Sequence, residues 1–364
     1  MKPKPTLAVV GATGTVGSIV LQILSQHADV WGEIRLLASA RTAGRKLAVR
    51  GAETEVLELG EEALEGVDVA LFTVPAEVCA RWAPVAVAKG AAVVDGSGAF
   101  GAEPDVPLVV PELNSHGVRL RPRGIVACPS PVTLSLIVAV GALHAEFGLR
   151  ELVVSTYQAA SGAGPEAVAA LRAQLAEAAT GGKELGSAPG DVRRVLGETT
   201  GPLAAPLALN VVPWTGATPG SPDDRSADGW SSDGWSSDEL RIRGEVRKVL
   251  DLPTARITAT CAYVPVITTH SASVHARFEN EVAVERAHEI LATSPGVVLF
   301  DDPAAGDFPT PADVVGTDPT WVGRVRRSPD DPRALDLFVC GDNLRKGAAL
   351  NAAQIAEVIA AEAL

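Results

Sequence analysis

Residues 6–24 read TLAVVGATGTVGSIVLQIL, and this stretch decides the fold of the chain. A short apolar run leads into three glycines, and apolar residues at helical spacing follow, so the pattern predicts a strand, a tight turn and a helix. Gly11 allows the sharp turn, Gly14 lets backbone N–H groups approach a phosphate, and Gly17 lets the helix pack against the strand. Because a helix N-terminus attracts anions, the stretch predicts a dinucleotide pyrophosphate site. A plain strand-to-helix turn without a ligand is the alternative interpretation.

The end of the next strand indicates which dinucleotide is bound. Residues 33–39, EIRLLAS, predict the second strand, and a protein that prefers NAD usually ends this strand with a carboxylate for the ribose 2′-hydroxyl. No acidic residue follows here, and the tip offers Ser39, Arg41 and Thr42 instead. Because two hydroxyls and a guanidinium suit a 2′-phosphate, the sequence predicts NADP. A solvated basic turn is the alternative.

Strands and helices alternate through the first part of the chain, which predicts a doubly wound parallel sheet of the Rossmann type. From Glu151 onward the strands are rich in Val and Thr and nearly alternate between apolar and polar residues. This change of pattern predicts a second domain in an α/β protein. A tandem copy of DGWSS, at Asp228–Ser232 and Asp233–Ser237, predicts an exposed loop insertion.

Charge and composition exclude several kinds of partner. The formal net charge is -13, which argues against binding to nucleic acid or to an anionic membrane, since both need a basic face. No apolar run reaches the ~18 residues of a membrane span. Residues 1–5 carry no apolar signal-peptide core, so we expect a cytoplasmic protein. The four cysteines are far apart and fit no metal-site spacing.

Further segments match one known family. In order along the chain they are GATGTVGS, LLASARTAGRKL, DVPLVVPELN, STYQAASGAG, NVVPW, EVRKVL, YVPVITTHSASV, VGRVRRSP and GDNLRKGAALNAAQIAE. This series resembles bacterial aspartate-β-semialdehyde dehydrogenase, and the resemblance covers nearly the whole chain. The SGAG and GDNLRKGAALN segments are specific to that family.

The resemblance implies a two-domain subunit that forms homodimers. It implies that residues 1–132 bind NADP, completed by the C-terminal helix at about 341–364, and that residues 133–340 form an α+β domain for catalysis and dimerisation. Family members reductively dephosphorylate β-aspartyl phosphate to aspartate semialdehyde with NADPH. A cysteine thiolate attacks the acyl carbon, a histidine acts as acid and base, and a glutamine orients the intermediate. Arginines and a lysine hold the carboxylate and the phosphate.

The resemblance also assigns site residues. His270 and Gln158 take the positions of the catalytic histidine and glutamine, although Thr269 stands where the family has glycine. On the substrate side, Glu239 lies where the family has acidic residues, and Arg241 replaces a lysine. The expected cofactor-binding residues are Gly11, Thr13, Gly14, Thr15, Val16, Gly17, Ser39, Arg41, Thr42, Ser161, Gly162, Asn343 and Lys346.

The nucleophile of the family is missing. Where the family reads Asn-Pro-Asn-Cys, residues 128–131 read Cys-Pro-Ser-Pro, so Pro131 occupies the position of the catalytic cysteine. Gly101 and Tyr263 occupy the positions of the two arginines that hold anionic groups. The sequence therefore retains the cofactor motifs and loses the residues for covalent catalysis.

Three interpretations stay open at this point. In the first, the chain is an NADP-binding paralogue without acyl-phosphate reduction. In the second, it is an oxidoreductase redirected to a substrate that needs no covalent thiol. In the third, it is an active dehydrogenase that uses Cys128 as a displaced thiol. Three residues of extended chain correspond to roughly 10 Å. Productive attack needs about 3–3.5 Å, so the third interpretation requires a rebuilt loop.

Overall fold

The computed structural model describes residues 4–27, 30–182, 184–197, 201–216 and 234–363. The chain divides into two compact units. The first contains Met1–Leu134, Glu245–Leu252 and Leu344–Leu364, and the second contains Ser135–Gly244 and Pro253–Asn343. The first DGWSS copy, Asp228–Ser232, lies outside the described residues. No helix of the described ranges is long and apolar enough to cross a membrane.

The first unit is built on a seven-stranded sheet. Its strands are β1 (Leu7–Val10), β2 (Ile34–Ala38), β3 (Lys46–Val49), β4 (Ala52–Glu58), β5 (Val69–Phe72), β6 (Ala92–Asp95) and β7 (Ile125–Ala127). Their order in the sheet is β3-β4-β2-β1-β5-β6-β7. The pairs are parallel except for the β3–β4 hairpin, which is antiparallel. The central strands β1 and β5 are buried throughout, as expected for a parallel sheet covered on both faces.

The second unit contains a six-stranded mixed sheet. Its strands are β8 (Leu149–Gln158), β9 (Arg256–Tyr263), β10 (His270–Phe278), β11 (Val297–Leu299), β12 (Thr320–Arg327) and β13 (Ala334–Gly341), in the order β11-β12-β13-β10-β8-β9. Buried and exposed residues alternate along β8 and β9, so one face of these strands packs on the core. The prediction of an α/β protein with a Rossmann-type domain and a second sheet domain is confirmed.

The α-helices of the described ranges are α1 (Thr15–Gln26), α2 (Ala76–Ala88), α3 (Pro111–Asn114), α4 (Pro131–Phe147), α5 (Pro165–Thr180), α6 (Asp191–Leu196), α7 (Ser237–Val249), α8 (Val284–Thr293), α9 (Pro311–Val314) and α10 (Asn351–Ala363). Short 3₁₀ turns lie at Glu62–Leu64, Ser115–Arg119 and Ala160–Ala163, and a π-helical turn, Arg345–Leu350, leads into α10.

The C-terminal helix α10 contributes to the core of the first unit. Several of its apolar residues, including Ala352 and Ile355, are fully buried in one cluster with Leu7 and Val9 of β1 and with apolar residues of α1. Alanine has a small side chain, which allows α10 to lie close to the strands. The last segment of the chain is therefore part of the dinucleotide-type fold.

Candidate functional site

The turn between β1 and α1 has the geometry that an anion site needs. Gly11 has φ +94°, and a Cβ atom there would lie 2.5 Å from the Thr73 carbonyl oxygen. A Cβ atom at Gly17 would collide with the Gly11 carbonyl oxygen. Gly14 is the N-cap residue of α1, no side chain caps this end, and the first turn has no acidic residue. The unpaired N–H groups of α1 therefore fit a pyrophosphate.

The loop after β2 lies against this glycine turn. The Thr13 and Thr42 hydroxyl oxygens are 3.1 Å apart, and the Thr42 N–H donates to the Ser39 carbonyl oxygen at 2.9 Å. Thr42 is buried, whereas Ser39 and Arg41 are exposed. Thr15 is exposed in the first turn of α1, and Val16 is half-buried. The structure therefore brings the glycine turn and the loop after β2 together.

Pro131 is the first residue of α4. Proline is favoured at this position because the first N–H of a helix has no intrahelical partner. Its ring lies close to Gly347, where a Cβ atom would be 3.0 Å from the proline Cβ. The side chain at the position that the resemblance assigns to the nucleophile is thus a half-buried ring without a reactive group.

The residue before it, Ser130, is held by a carboxylate. The Ser130 N–H donates to both carboxylate oxygens of Glu245 at 3.0 Å, and the hydroxyl donates to Glu245 Oε2 at 2.6 Å. Both side chains are about nine-tenths buried, with exposed fractions of 8%. Glu245 therefore fixes the entry to α4.

Cys128, the candidate for a displaced thiol, is buried. The residue is 5% exposed, and its N–H donates to the Asp95 carbonyl oxygen at 2.8 Å. Burial raises the pKa of the Cys128 thiol to about 12, although a hydrogen bond with Asn351 acts in the opposite direction. A thiol with such a pKa is ionised in roughly one molecule in 10⁵ at neutral pH.

In the second unit, His270 and Gln158 lie close together beside Gly162. The Ala159 N–H donates to His270 Nδ1 at 3.1 Å, which leaves the proton of the neutral ring on Nε2. A Cβ atom at Gly162 would lie 3.1 Å from His270 Nε2 and 3.8 Å from Gln158 Oε1. Burial lowers the pKa of His270 to about 3, so the imidazole is neutral near pH 7.

Gln158 is fixed by threonine hydroxyls. Its side-chain amide donates to Thr156 Oγ1 at 3.4 Å and to Thr215 Oγ1 at 3.3 Å, and its exposed fraction is 2%. The neighbouring strand places Tyr263 opposite Gln158. Burial, followed by the negative charge of Asp238, raises the pKa of the Tyr263 phenol above its ordinary range. Tyr263 therefore presents a neutral phenol near pH 7.

The two acidic residues at the start of α7 have different surroundings. Glu239 forms a reciprocal capping box with Ser236: its Oε2 accepts the Ser236 N–H at 2.8 Å, and the Glu239 N–H donates to Ser236 Oγ at 3.4 Å. Its other carboxylate oxygen accepts the Cys261 N–H at 3.0 Å. Both carboxylate oxygens of Glu239 thus have partners within the protein.

Asp238 is a residue that sequence reasoning missed. It is 9% exposed, lies 3.8 Å from Arg241, and acts electrostatically on Tyr263. The available signal was the spacing of Asp238 and Arg241, since residues three apart on a helix share a face.

The remaining predicted cofactor residues have partners within their own units. The Asn343 amide donates to Ser161 Oγ at 2.9 Å, and Asn343 Oδ1 accepts the Thr269 N–H at 2.9 Å. In the first unit, Lys346 is fully buried and donates to Glu112 Oε1 at 2.6 Å and to Gln354 Oε1 at 3.2 Å. Within the described ranges, no group of His, Cys, Asp and Glu side chains could hold a metal ion.

Thr269 has a backbone conformation that favours glycine. Its φ is +85°, a genuine outlier for a β-branched residue. Its side chain is fully buried, and its hydroxyl oxygen has no hydrogen-bond partner in the described structure. The residue that precedes His270 is therefore strained.

Comparison with known proteins gives a consistent result. Residues 6–120 match the family model of the semialdehyde dehydrogenase NAD binding domain, and residues 140–346 match that of the semialdehyde dehydrogenase dimerisation domain. The chain is 40% identical to aspartate-semialdehyde dehydrogenase of Corynebacterium melassecola, covering 97% of this chain and 99% of the relative. It is 38% identical to the enzyme of Streptomyces akiyoshiensis, covering 98% of both chains.

Solved structures agree with the sequence comparison. Aspartate semialdehyde dehydrogenase II of Vibrio cholerae superposes with a TM-score of 0.87 at 31% identity, covering 100% of both chains. The predicted resemblance and the predicted nicotinamide dinucleotide domain are confirmed. This chain belongs to the aspartate-semialdehyde dehydrogenase family.

Proposed function

We propose that this protein is an NADP-binding member of the family that does not reduce acyl phosphates through a covalent thioester. The observation that carries the proposal is Pro131 at the first position of α4, in the place of the catalytic cysteine. The nearby thiol of Cys128 does not replace it, because it is buried and its pKa is raised to about 12.

The cofactor part of the proposal rests on the turn between β1 and α1. The N–H groups of α1 would hold the pyrophosphate, and Ser39, Arg41 and Thr42 would hold the 2′-phosphate of NADP. The bound nicotinamide supplies hydride chemistry. No carboxylate follows β2 directly in the sequence, so we propose that NADP is preferred over NAD.

Loss of the anion-holding arginines supports the proposal from the substrate side. Gly101 has no side chain to offer, and the nearby ammonium of Lys248 donates to the carbonyl oxygens of Gly101 and Glu103 at 2.9 and 2.6 Å. This ammonium is therefore already engaged. In the second unit, neutral Tyr263 stands beside Asp238, a pairing that disfavours a substrate carboxylate and leaves Arg241 as the nearby cation.

A redirected oxidoreductase is the second candidate, favoured by one observation. His270 and Gln158 remain together, and the Nε2–H of a neutral imidazole can polarise a carbonyl oxygen without transferring a proton. A general acid or base works best with a pKa near the operating pH. With a pKa of about 3, His270 would act as a hydrogen-bond donor.

We further propose a homodimer formed through the second unit. The match of residues 140–346 to a dimerisation domain supports it. A single species of monomer mass in light scattering at micromolar concentration would contradict this part. The cytoplasmic location and the absence of a nucleic-acid partner stay predictions from the sequence.

The decisive assay follows phosphate-dependent reduction of NADP with aspartate semialdehyde. We expect no turnover by the unaltered protein and no change on Cys128→Ser. Pro131→Cys alone should recover little activity, because the effects of catalytic residues that act as a unit are strongly non-additive. The triple variant Pro131→Cys, Gly101→Arg, Tyr263→Arg should recover more activity. Turnover by the unaltered protein that Cys128→Ser abolishes would overturn the proposal in favour of the displaced thiol.

A further inference from the structure

One cavity of the second unit is lined by four arginines. It has a volume of about 420 Å³, and its lining includes Arg150, Arg256, Arg277, Phe278, Glu279 and Arg333. Small-ligand pockets usually measure ~300–1,000 Å³. The cavity is thus large enough for a small metabolite.

The topology of the second sheet explains why these arginines converge. Strands β13, β10, β8 and β9 are consecutive neighbours. In their registers Glu151 of β8 stands between Arg277 of β10 and Arg256 of β9. Arg333 immediately precedes β13, whose first residue pairs with Arg277, and Arg150 lies on β8 beside Glu151. Four adjacent strands therefore each bring a guanidinium to the same end of the sheet.

The carboxylates around the cavity do not balance these charges. Arg150 pairs with Glu279 at 2.7 Å, and Arg256 pairs with Glu151 at 2.6 Å. The other two arginines share one carboxylate, since Asp331 lies 2.7 Å from Arg277 and 3.6 Å from Arg333. Four cations therefore face three anions, on a chain whose formal net charge is -13. The local charge is therefore opposite in sign to the net charge of the whole molecule.

The guanidinium groups also keep unused donors. Arg277 donates a hydrogen bond only through Nε, and Arg256 only through one terminal nitrogen, within the described part of the chain. A guanidinium has five N–H donors and can hold an oxyanion through two of them. Phe278 of the lining is fully buried and packs edge-on against Phe147. The cavity therefore offers several guanidinium donors beside a well-packed part of the sheet.

We propose that this cavity binds a small oxyanion with two or more negative charges, either a phosphorylated metabolite or a polycarboxylate. Arginine forks match both phosphate and carboxylate geometry. The site is distinct from the dinucleotide turn, which lies in the first unit, and the inference does not depend on the proposed function.

The test is calorimetric titration of the full-length protein with inorganic pyrophosphate and, separately, with citrate. We expect at least one of the two to bind, with an affinity that falls as salt rises. Arg277→Gln and Arg333→Gln should each weaken binding about tenfold or more, a loss typical of one charge-assisted contact. Arg277→Lys keeps the positive charge but loses the two parallel N–H donors of the guanidinium, so it should give an intermediate affinity. The anion that binds identifies the ligand class.

Two controls separate this cavity from other cationic surfaces. Arg286→Gln removes a guanidinium that is bonded to Glu146 and Glu289 and is absent from the cavity lining, so the anion affinity should not change. Saturation of the dinucleotide turn with NADPH before the titration should also leave it unchanged. The inference is overturned if neither anion binds, if Arg277→Gln and Arg333→Gln bind as tightly as the unaltered protein, or if NADPH abolishes binding.

Discussion

At the scale of single residues, position 131 combines a gain for the helix with a loss for chemistry. Proline at the first position of α4 requires no N–H partner and has the helical φ already, and Ser130 beside it is held by Glu245. A cysteine at this position would add a thiol without improving the helix. Local helix stability therefore favours proline at this position.

Thr269 is the residue where we expect a substitution to stabilise the protein. Thr269→Gly removes a positive-φ strain of about 1–3 kcal/mol and a buried hydroxyl without a partner, against an entropic cost of about 0.5–1 kcal/mol for glycine. Urea unfolding should therefore give a larger free energy of unfolding for Thr269→Gly. Thr269→Ala is the matched control, because it removes the hydroxyl but keeps the strained Cβ, and it should gain less. Equal stabilities for the two variants would contradict the strain argument.

His270 predicts a specific pH dependence of stability. Its pKa is lowered from 6.5 to about 3 by burial, so below pH 6.5 the unfolded chain binds a proton that the folded protein excludes. Above pH 6.5 the titration of His270 does not affect the free energy of unfolding. Between pH 6.5 and about 3 it lowers that free energy by about 1.4 kcal/mol for each pH unit of acidification. The free energy of unfolding of the unaltered protein should fall more steeply than that of His270→Gln. Parallel curves for the two proteins would show that His270 titrates normally.

At the scale of elements, the glycine turn gave the most reliable sequence prediction, because each glycine there is required by contacts. The β1–turn–α1 unit, the alternating strands β8 and β10, and helix α8 were all anticipated from pattern. Strands β3 and β4 were missed, since β4 is mostly exposed and carries three glutamates. Arg50 and Gly51, both with positive φ, join them in a two-residue turn of the kind that marks a hairpin.

Side-chain environments were less predictable than elements. Asp238 and Glu239 are consecutive and chemically alike, yet one has Arg241 within 3.8 Å and the other caps the helix. Which of them faces Tyr263 depends on the rotation of α7, which the sequence does not specify. The neutral state of His270 likewise depends on burial by distant parts of the chain.

Gly17 provides the element-scale test of the turn. Gly17→Ala places a Cβ atom against the Gly11 carbonyl oxygen, so α1 must shift, at a typical overpacking cost of about 1–3 kcal/mol. We expect a lower midpoint in chemical unfolding and weaker NADPH binding. Gly244→Ala in α7 is the control, because nothing lies within 4 Å of its Cβ position, and it should stabilise by about 0.5–1 kcal/mol. The packing account fails if both variants unfold at the same midpoint.

At the scale of the whole molecule, we propose that cofactor binding is retained without the family's covalent catalysis. The first unit keeps the dinucleotide turn, and the second keeps Gln158 and His270. Pro131, Gly101 and Tyr263 stand where the family resemblance implies the nucleophile and two anion-holding arginines. Membership of the family could be recognised from the sequence, since its motifs are contiguous. The burial of Cys128 could not be predicted from the sequence, because the surroundings of this thiol include residues such as Asn351 that are distant in the chain.

Cofactor selectivity tests the first half of this account. NADPH should bind more tightly than NADH, and Arg41→Ala should weaken NADPH by roughly tenfold or more while leaving NADH unchanged, because only NADPH carries the phosphate that the guanidinium would contact. Isothermal titration of both dinucleotides with both proteins gives the four affinities. Equal binding of NADH and NADPH by the unaltered protein would remove the case for NADP.

The central claim is that NADP binds without covalent thiol chemistry, and the first turnover tests it most directly. The protein is mixed rapidly with NADP and aspartate semialdehyde in the absence of phosphate, and the absorbance of NADPH is followed. A dehydrogenase with a competent thiol releases about one equivalent of NADPH per site in a burst as the acyl-enzyme accumulates. We predict no burst above that of Cys128→Ser, under conditions where titration shows the dinucleotide bound. A burst approaching one equivalent per chain that disappears in Cys128→Ser would contradict the account.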